Sequence, residues 1–208
     1  TVKVTPSIKT PTGKLPRLIQ ALVNLGEGVA PVTESTRATA AGERGTIAPV
    51  FPGSPLLSVS FTSYQGQTGT RDVIGLVTIA ANVATLDLGR TRINDAALEV
   101  VAKMTRLIKL DLRQTNITDK ALKQLAGLQN LRSLNLFKVN ITDESIGLLS
   151  GLKKLETVYL WQSKVSPAGA QQLRDRRPDL RVVYEAILPP PERQSPDDEG
   201  DGSRRRRR

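Results

Sequence analysis

Two carboxylates, Asp87 and Asp111, stand 24 positions apart in segments of one pattern, ATLDLGR and IKLDLRQ. On neighbouring strands they would lie about 5 Å apart, the spacing at which a retaining glycosidase sets a nucleophile beside an acid. Lys109, Arg113 and Arg90 crowd the same pattern, however, and mixed charge of this kind describes a solvated ionic network. The following segments carry aromatics in its place. Phe137 and Trp161 continue the column of Gly89 and Arg113, while Asn135, Tyr159 and Tyr184 continue the column of the two aspartates. Tryptophan, tyrosine and arginine are the side chains that most often anchor protein interfaces. The chain has one tryptophan, three tyrosines and three phenylalanines, so such a concentration calls for an explanation.

Composition narrows the chemistry further. The 208 residues include neither cysteine nor histidine, which removes disulfides, thiol nucleophiles, Ser-His and Cys-His catalysis, thiolate or imidazole zinc sites and covalent haem attachment. No cofactor is therefore expected. Either redox compartment is compatible with a cysteine-free chain. The net charge is +10. Residues 71–188 hold 18 basic and 12 acidic side chains, residues 1–70 hold 6 and 3, and residues 189–208 hold 6 and 5. A basic body attracts anionic partners, whether acidic protein, nucleic acid or anionic lipid. The longest uncharged run of the periodic region, 73–86, covers 14 residues, against about 20 needed to span a bilayer. Thr1 opens the chain without a hydrophobic leader, as a processed or trimmed product would.

The elements that position these residues come from a repeat. Residues 83–106 read VATLDLGRTRINDAALEVVAKMTR, residues 107–130 LIKLDLRQTNITDKALKQLAGLQN, and residues 131–154 LRSLNLFKVNITDESIGLLSGLKK. Residues 155–179 read LETVYLWQSKVSPAGAQQLRDRRPD, one residue longer, and Leu180 opens another row. Each row has the form L-x-x-L-x-L-x-x-(T/V/S)-x-(I/V), and a period near 24 is that of leucine-rich repeats. Within one row Leu110 and Leu112 point inward from a strand while Lys109, Asp111 and Arg113 point outward. Ile117 turns the chain back. Thr118 and Asp119 suit a helix start, because their oxygens can accept its first amide hydrogens. Leu122, Leu125 and Leu128 then share a helical face. Met104, Leu128 and Leu152 form a column that Arg176, Arg177 and Pro178 break, marking the last repeat. One row cannot bury its apolar face, so the rows must stack.

This predicts an α/β fold, a short right-handed solenoid with a parallel concave sheet and outer helices. Three regions follow. Residues 1–53 form an N-terminal arm, with a capping helix carrying Leu15, Leu18, Ile19 and Leu22 and a Thr/Ala/Gly/Pro-rich loop over 31–53. Residues 54–188 form the repeat domain, in which 54–82 is a degenerate first repeat. The stretch 189–208, PPPERQSPDDEGDGSRRRRR, is expected to be disordered, for it lacks apolar side chains to bury. Its run 204–208 is either an electrostatic contact or a solvated end. Asn116-Ile117-Thr118 and Asn140-Ile141-Thr142 have the form of glycosylation sequons, but they recur at one repeat position, which the turn pattern explains.

The pieces LGEGVAPV (25–32), SPLLSVSF (54–61), the T-x-I-T-D-like turns and YLWQSKVSPAGAQQLRDRRPDL (159–180) resemble a particular family across 15–185. They are similar to the leucine-rich-repeat (ribonuclease-inhibitor-like) domain of bacterial membrane-anchored proteins that carry a planctomycete-type c-type cytochrome domain. The chain departs from that pattern by having no haem motif and by an insertion-like stretch at 33–53. The resemblance implies an extracytoplasmic place, periplasmic or membrane-associated, beside a bacterial membrane protein complex.

The function expected is a non-catalytic protein-binding module. Its candidate site residues are Arg113, Phe137, Tyr159, Trp161, Tyr184, Lys109 and Asp111 on the concave face, with no catalytic, cofactor or metal residues. Alternatively the aromatics only stabilise the sheet, or the C-terminal stretch covers them. The second function expected is that of an accessory subunit of an electron-transfer or photosynthetic complex, touching it through the terminal arms. A small-molecule substrate and a nucleic acid are not expected.

Overall fold

A computed structural model describes residues 45–52, 54–61 and 67–185. Their alternating apolar positions generate one seven-stranded sheet in which sequence order equals spatial order. Strand β1 (Thr46–Pro49) is antiparallel to β2 (Leu57–Ser60). The strands β2, β3 (Val83–Asp87), β4 (Lys109–Asp111), β5 (Ser133–Asn135), β6 (Thr157–Tyr159) and β7 (Arg181–Val183) are all parallel. Leu86, Leu110, Leu134, Val158 and Val182 pair across β3–β7 in one inward row. Thr85, Lys109, Ser133, Thr157 and Arg181 form an outward row.

The return legs lie on the other side of the core. They comprise α1 (Thr70–Ile74) with the 3-10 turns Gly75–Asn82, then α2 (Leu98–Val101), α3 (Asp119–Leu122), α4 (Ile146–Gly151) and α5 (Pro167–Arg176). Only α5 makes more than two turns. Pro167 stands in its first turn, where a missing N–H costs nothing, and the Ser166 hydroxyl accepts from Gly169 N at 3.0 Å. Between strands and return legs lies one aliphatic core from Leu57 to Leu180, including the column Met104, Leu128 and Leu152. Such burial removes roughly 25 cal/mol per Å² of apolar surface from unfavourable contact with water.

The turn after each of the strands β3–β6 is also repeated. Arg90, Gln114, Lys138 and Gln162 have φ between 53° and 61°, a left-handed conformation that costs a non-glycine residue about 1 kcal/mol. The turn keeps the backbone ladder going past the strand. Arg90 N donates to Arg113 O at 2.8 Å, Gln114 N to Phe137 O at 2.9 Å, and Lys138 N to Trp161 O at 3.0 Å.

Three expectations change. Thr46–Pro49, read as loop, is a strand that covers the first edge of the sheet. Residues 118–119 do not both cap their own helix: Thr118 makes no side-chain cap, and Asp119 reaches to the next repeat, as shown below. The last strand sits one residue earlier than the row alignment implies. Arg181, not Val182, pairs with Thr157, and Val183, not Tyr184, pairs with Tyr159. The additional residue of the fourth row is taken up around Arg177 and recovered before β7, because Leu180 reaches the core two residues before Val182. The capping helix over 15–22 and the stretch 189–208 lie outside the described residues.

Candidate functional site

The concave sheet divides into two parts with different chemistry. On β3–β5 the outward carboxylates and amide are turned back on the backbone. Gly89 N donates to Asp87 Oδ1 at 2.9 Å, Arg113 N to Asp111 Oδ1 at 2.9 Å, and Phe137 N to Asn135 Oδ1 at 3.0 Å. The same side-chain turn thus closes three successive strands, using the short Asp/Asn side chain's reach to an amide two residues on. Arg113 then bridges both aspartates: Nη1 lies 2.9 Å from Asp111 Oδ2 and Nη2 3.7 Å from Asp87 Oδ2. Asn135 Nδ2 donates to Asp111 Oδ2 at 3.0 Å.

Gly89 makes this clamp possible. A β-carbon there would come within 2.8 Å of both Cγ and Nε of Arg113, so the arginine lies flat over the glycine. Its Nε is buried and has no hydrogen-bond partner. Burial pushes the Asp111 carboxyl above its ordinary value of 3.8. The Arg113 backbone N–H opposes that rise, repulsion from Asp87 adds to it, and the Arg113 guanidinium and Asn135 oppose it. The carboxylate pair thus accepts four hydrogen bonds within the fold, besides the longer Arg113–Asp87 ion pair. The sheet's curvature leaves a groove of ≈ 420 Å³ over this part, with Ser58, Thr85, Lys109, Asp111 and Tyr159 among its walls. The hydroxyls of Thr85 and Ser58 meet across β2 and β3 at 2.6 Å.

The second part begins at β5. Phe137 and Trp161 stack with ring centroids 4.9 Å apart and planes inclined by 22°. Trp161 is 38% exposed and Tyr159 37% exposed; the other exposed large apolar side chains among the described residues, Ile74 and Val77, lie on the return leg before β3. Tyr159 occupies the column of Asp87, Asp111 and Asn135, so the polar turn stops where the aromatics begin.

The structure brings six of the seven sequence-selected residues onto the concave face, and corrects one. Tyr184 leaves that face because the last strand sits one residue earlier than expected. It packs against the core in the position that Leu160 holds one repeat before, and its hydroxyl donates to Val165 O at 3.0 Å.

Sequence reasoning missed two devices that hold this face in shape. Asp95 accepts from Thr118 N at 2.9 Å and Thr118 Oγ1 at 2.6 Å. Asp119 accepts from Thr142 N and Oγ1, both at 3.0 Å, and from the Ser145 hydroxyl. Asp143 accepts from Ser166 N at 2.8 Å and Oγ at 2.6 Å. Each aspartate therefore clasps the helix start of the following repeat; its 24-residue spacing, always one position after the Thr or Asn cap, was the available signal. The sequon threonines Thr118 and Thr142 are consumed in these clasps. The second device is Arg177, which stands where the Met104 column ends. Its guanidinium donates to the carbonyls of Leu152 (2.9 Å), Leu155 (3.0 Å), Lys153 (3.2 Å) and Ser150 (3.4 Å), and to Asp179.

Among the described residues no group of three or more acidic side chains is placed to hold a metal ion, and no helix is long and apolar enough to cross a membrane. Residues 81–141 match the model of the leucine rich repeat family. An internalin from Listeria monocytogenes is similar over 55% of this chain and 31% of its own, at 22% identity and a TM-score of 0.46. Internalin C2 of the same organism is similar over 53% of this chain and 55% of its own, at 23% identity and a TM-score of 0.41. The chain thus spans 31% and 55% of the length of these structures, and no curated protein matches it. The in-register parallel rows and the family match together make the fold a leucine-rich-repeat α/β solenoid.

Proposed function

We propose that the concave sheet is a non-catalytic protein-binding face, with Trp161, Phe137 and Tyr159 as its anchors and Lys109, Asp111 and Arg113 as its polar border. One observation carries this reading: the chain's only tryptophan is stacked on Phe137 and still more than one-third exposed. Aromatics held rigid by a scaffold supply contact area at low entropic cost and dominate interface energetics. The engaged state of Asp87 and Asp111 supports the non-catalytic part, since neither carboxylate is left free to act as nucleophile or acid.

The test is capture of partners from native membranes in mild detergent by the full chain, by Trp161→Ala and by Phe137→Ala, with the proteins recovered identified by mass spectrometry. Loss of the same partners from both variants, with the fold intact by circular dichroism, is the expected result. Equal recovery by all three chains would remove the concave face from the proposal. A place outside the cytoplasm beside a bacterial membrane complex rests on the sequence resemblance. In that setting the contacts would lie in residues 1–53 and 189–208, most of which are outside the described residues.

A further inference from the structure

Arg113, Arg132 and Arg177 each contact a carboxylate. Lys109 on β4, Lys138 in the turn after β5, Lys164 in the loop after β6 and Arg181 on β7 are exposed and have no ion-pair partner among the described residues. Lys109 lines the same groove as Tyr159. Lys138 follows Phe137 directly, Lys164 lies three residues beyond Trp161, and Arg181 pairs in register with Thr157 beside Tyr159. The exposed aromatic surface thus has unneutralised positive charge beside it.

The complementary segment follows in the same chain. The described structure ends at Glu185, just past β7 and one strand away from β6. Neighbouring strands lie about 4.8 Å apart, and a residue of chain spans up to about 3.3 Å, so residues 189–201 can reach Trp161 and these lysines. Their sequence, PPPERQSPDDEGD, contains five acidic residues and one arginine. It opens with three prolines, whose flat apolar rings suit aromatic surfaces. Tethering raises the effective concentration of such a segment to the millimolar range, so even a weak contact would be populated.

We propose that residues 189–201 dock on the aromatic half of the concave sheet, with the prolines against Trp161 and Tyr159 and the carboxylates among Lys109, Lys138, Lys164 and Arg181. The segment then occupies the surface assigned above to a partner. The docking itself does not depend on that assignment, whereas its consequence, that a partner must displace the segment, rests on it.

Trp161 is the only tryptophan, so its fluorescence reports on this surface alone. Three chains are compared at several protein concentrations without any partner: the full chain, a chain ending at Leu188, and a full-length chain with Asp197, Asp198 and Asp201 changed to Asn and Glu192 and Glu199 to Gln. The expected result is that Trp161 emission shifts to longer wavelength and acrylamide quenching increases in the shortened chain. The neutralised chain should do the same, and so should the full chain at about 1 M salt, where screening shortens to about 3 Å. Identical emission and quenching in the three chains would overturn the proposal. So would a change in the shortened chain that neutralisation does not reproduce, or a difference that fades on dilution, which would mean docking between copies. Since no partner is present, failure here leaves the capture experiment with Trp161→Ala untouched.

Discussion

The inner repeats and the last repeat are built on the same 24-residue frame but use their side chains in opposite directions. In the inner repeats the polar positions are spent on the neighbour: Asp95, Asp119 and Asp143 clasp the next helix start, and Asp87, Asp111 and Asn135 close their own strand ends. The last repeat departs at each of these places. Pro167 stands where the clasping aspartate would be, Tyr159 replaces the turn-closing Asp or Asn, and Arg177 takes the end of the Met104 column. A middle repeat is judged by two neighbours, so its outward groups become mortar. Among the described residues no helix start follows α5, so the last repeat has none to clasp and its outward groups can face something else.

The strongest way to break this comparison is at Arg177. Arg177→Ala leaves several carbonyls without their donor beneath a buried void, and should destabilise the fold by about 3 kcal/mol in urea unfolding. Arg177→Lys should recover little, because an ammonium cannot span the same fan of carbonyls. An inner clasp should cost less. Asp119→Ala removes a charge-assisted acceptor from the Thr142 amide and hydroxyl, with a loss of about 2 kcal/mol. A similar cost at both sites would erase the distinction between closing the stack and joining its members.

Gly89→Ala should cost about 1 kcal/mol, since the new β-carbon must push Arg113 from its place. Arg113→Ala in the same chain should relieve most of that loss, and strict additivity of the two substitutions would contradict the clamp. At the aromatic end Trp161→Ala should change stability by no more than about 1 kcal/mol, mainly through the stack with Phe137, while abolishing partner capture. That combination separates an outward-facing surface from an inward-facing one.

The smallest effect concerns pH. Raised by burial, the Asp111 carboxyl stabilises the fold most when protonated. Its contribution is complete below the ordinary value of 3.8 and disappears as pH climbs through the raised folded value. Asp179 has the opposite sign. The hydrogen bond from Arg177 holds it below 3.8, so its contribution is present above that value and is lost as pH falls through the lowered one. Urea unfolding of Asp111→Asn and Asp179→Asn across this acidic range should therefore give difference curves of opposite slope.

The columns of leucine made β3–β6 and their register legible, because burial of one strand face leaves a period-two trace in the sequence. Six of the seven concave-face residues followed from that register alone. Tyr184 did not, since aligning Leu180 with Leu155 ignores the residue that Arg177's insertion takes up and β7 returns. Thr46–Pro49 was hidden by composition: only Ile47 of its four residues offers a large apolar side chain to the core. The clasps were equally hidden because each joins groups 23 residues apart, and helix-start rules consider only oxygens and amides within one turn. Arg177 looked like a break in the apolar pattern. It is one, but the buried guanidinium is also what satisfies the carbonyls at that break.

The constant register gives the molecule a ruler. From β3 to β6 each repeat advances the sheet by one strand spacing and each strand is followed by the same left-handed turn, so a second copy of residues 107–130 inserted after Asn130 would meet matching neighbours on both sides. The Asp87–Arg113 clamp and the Phe137–Trp161 stack would each survive intact, separated by one more strand, about 4.8 Å. A ligand that bridges the polar groove and the aromatic platform would then sense the lengthening, whereas one seated on the platform alone would not. Repeat number could thus be varied as a gauge of how far across the sheet a bound partner extends.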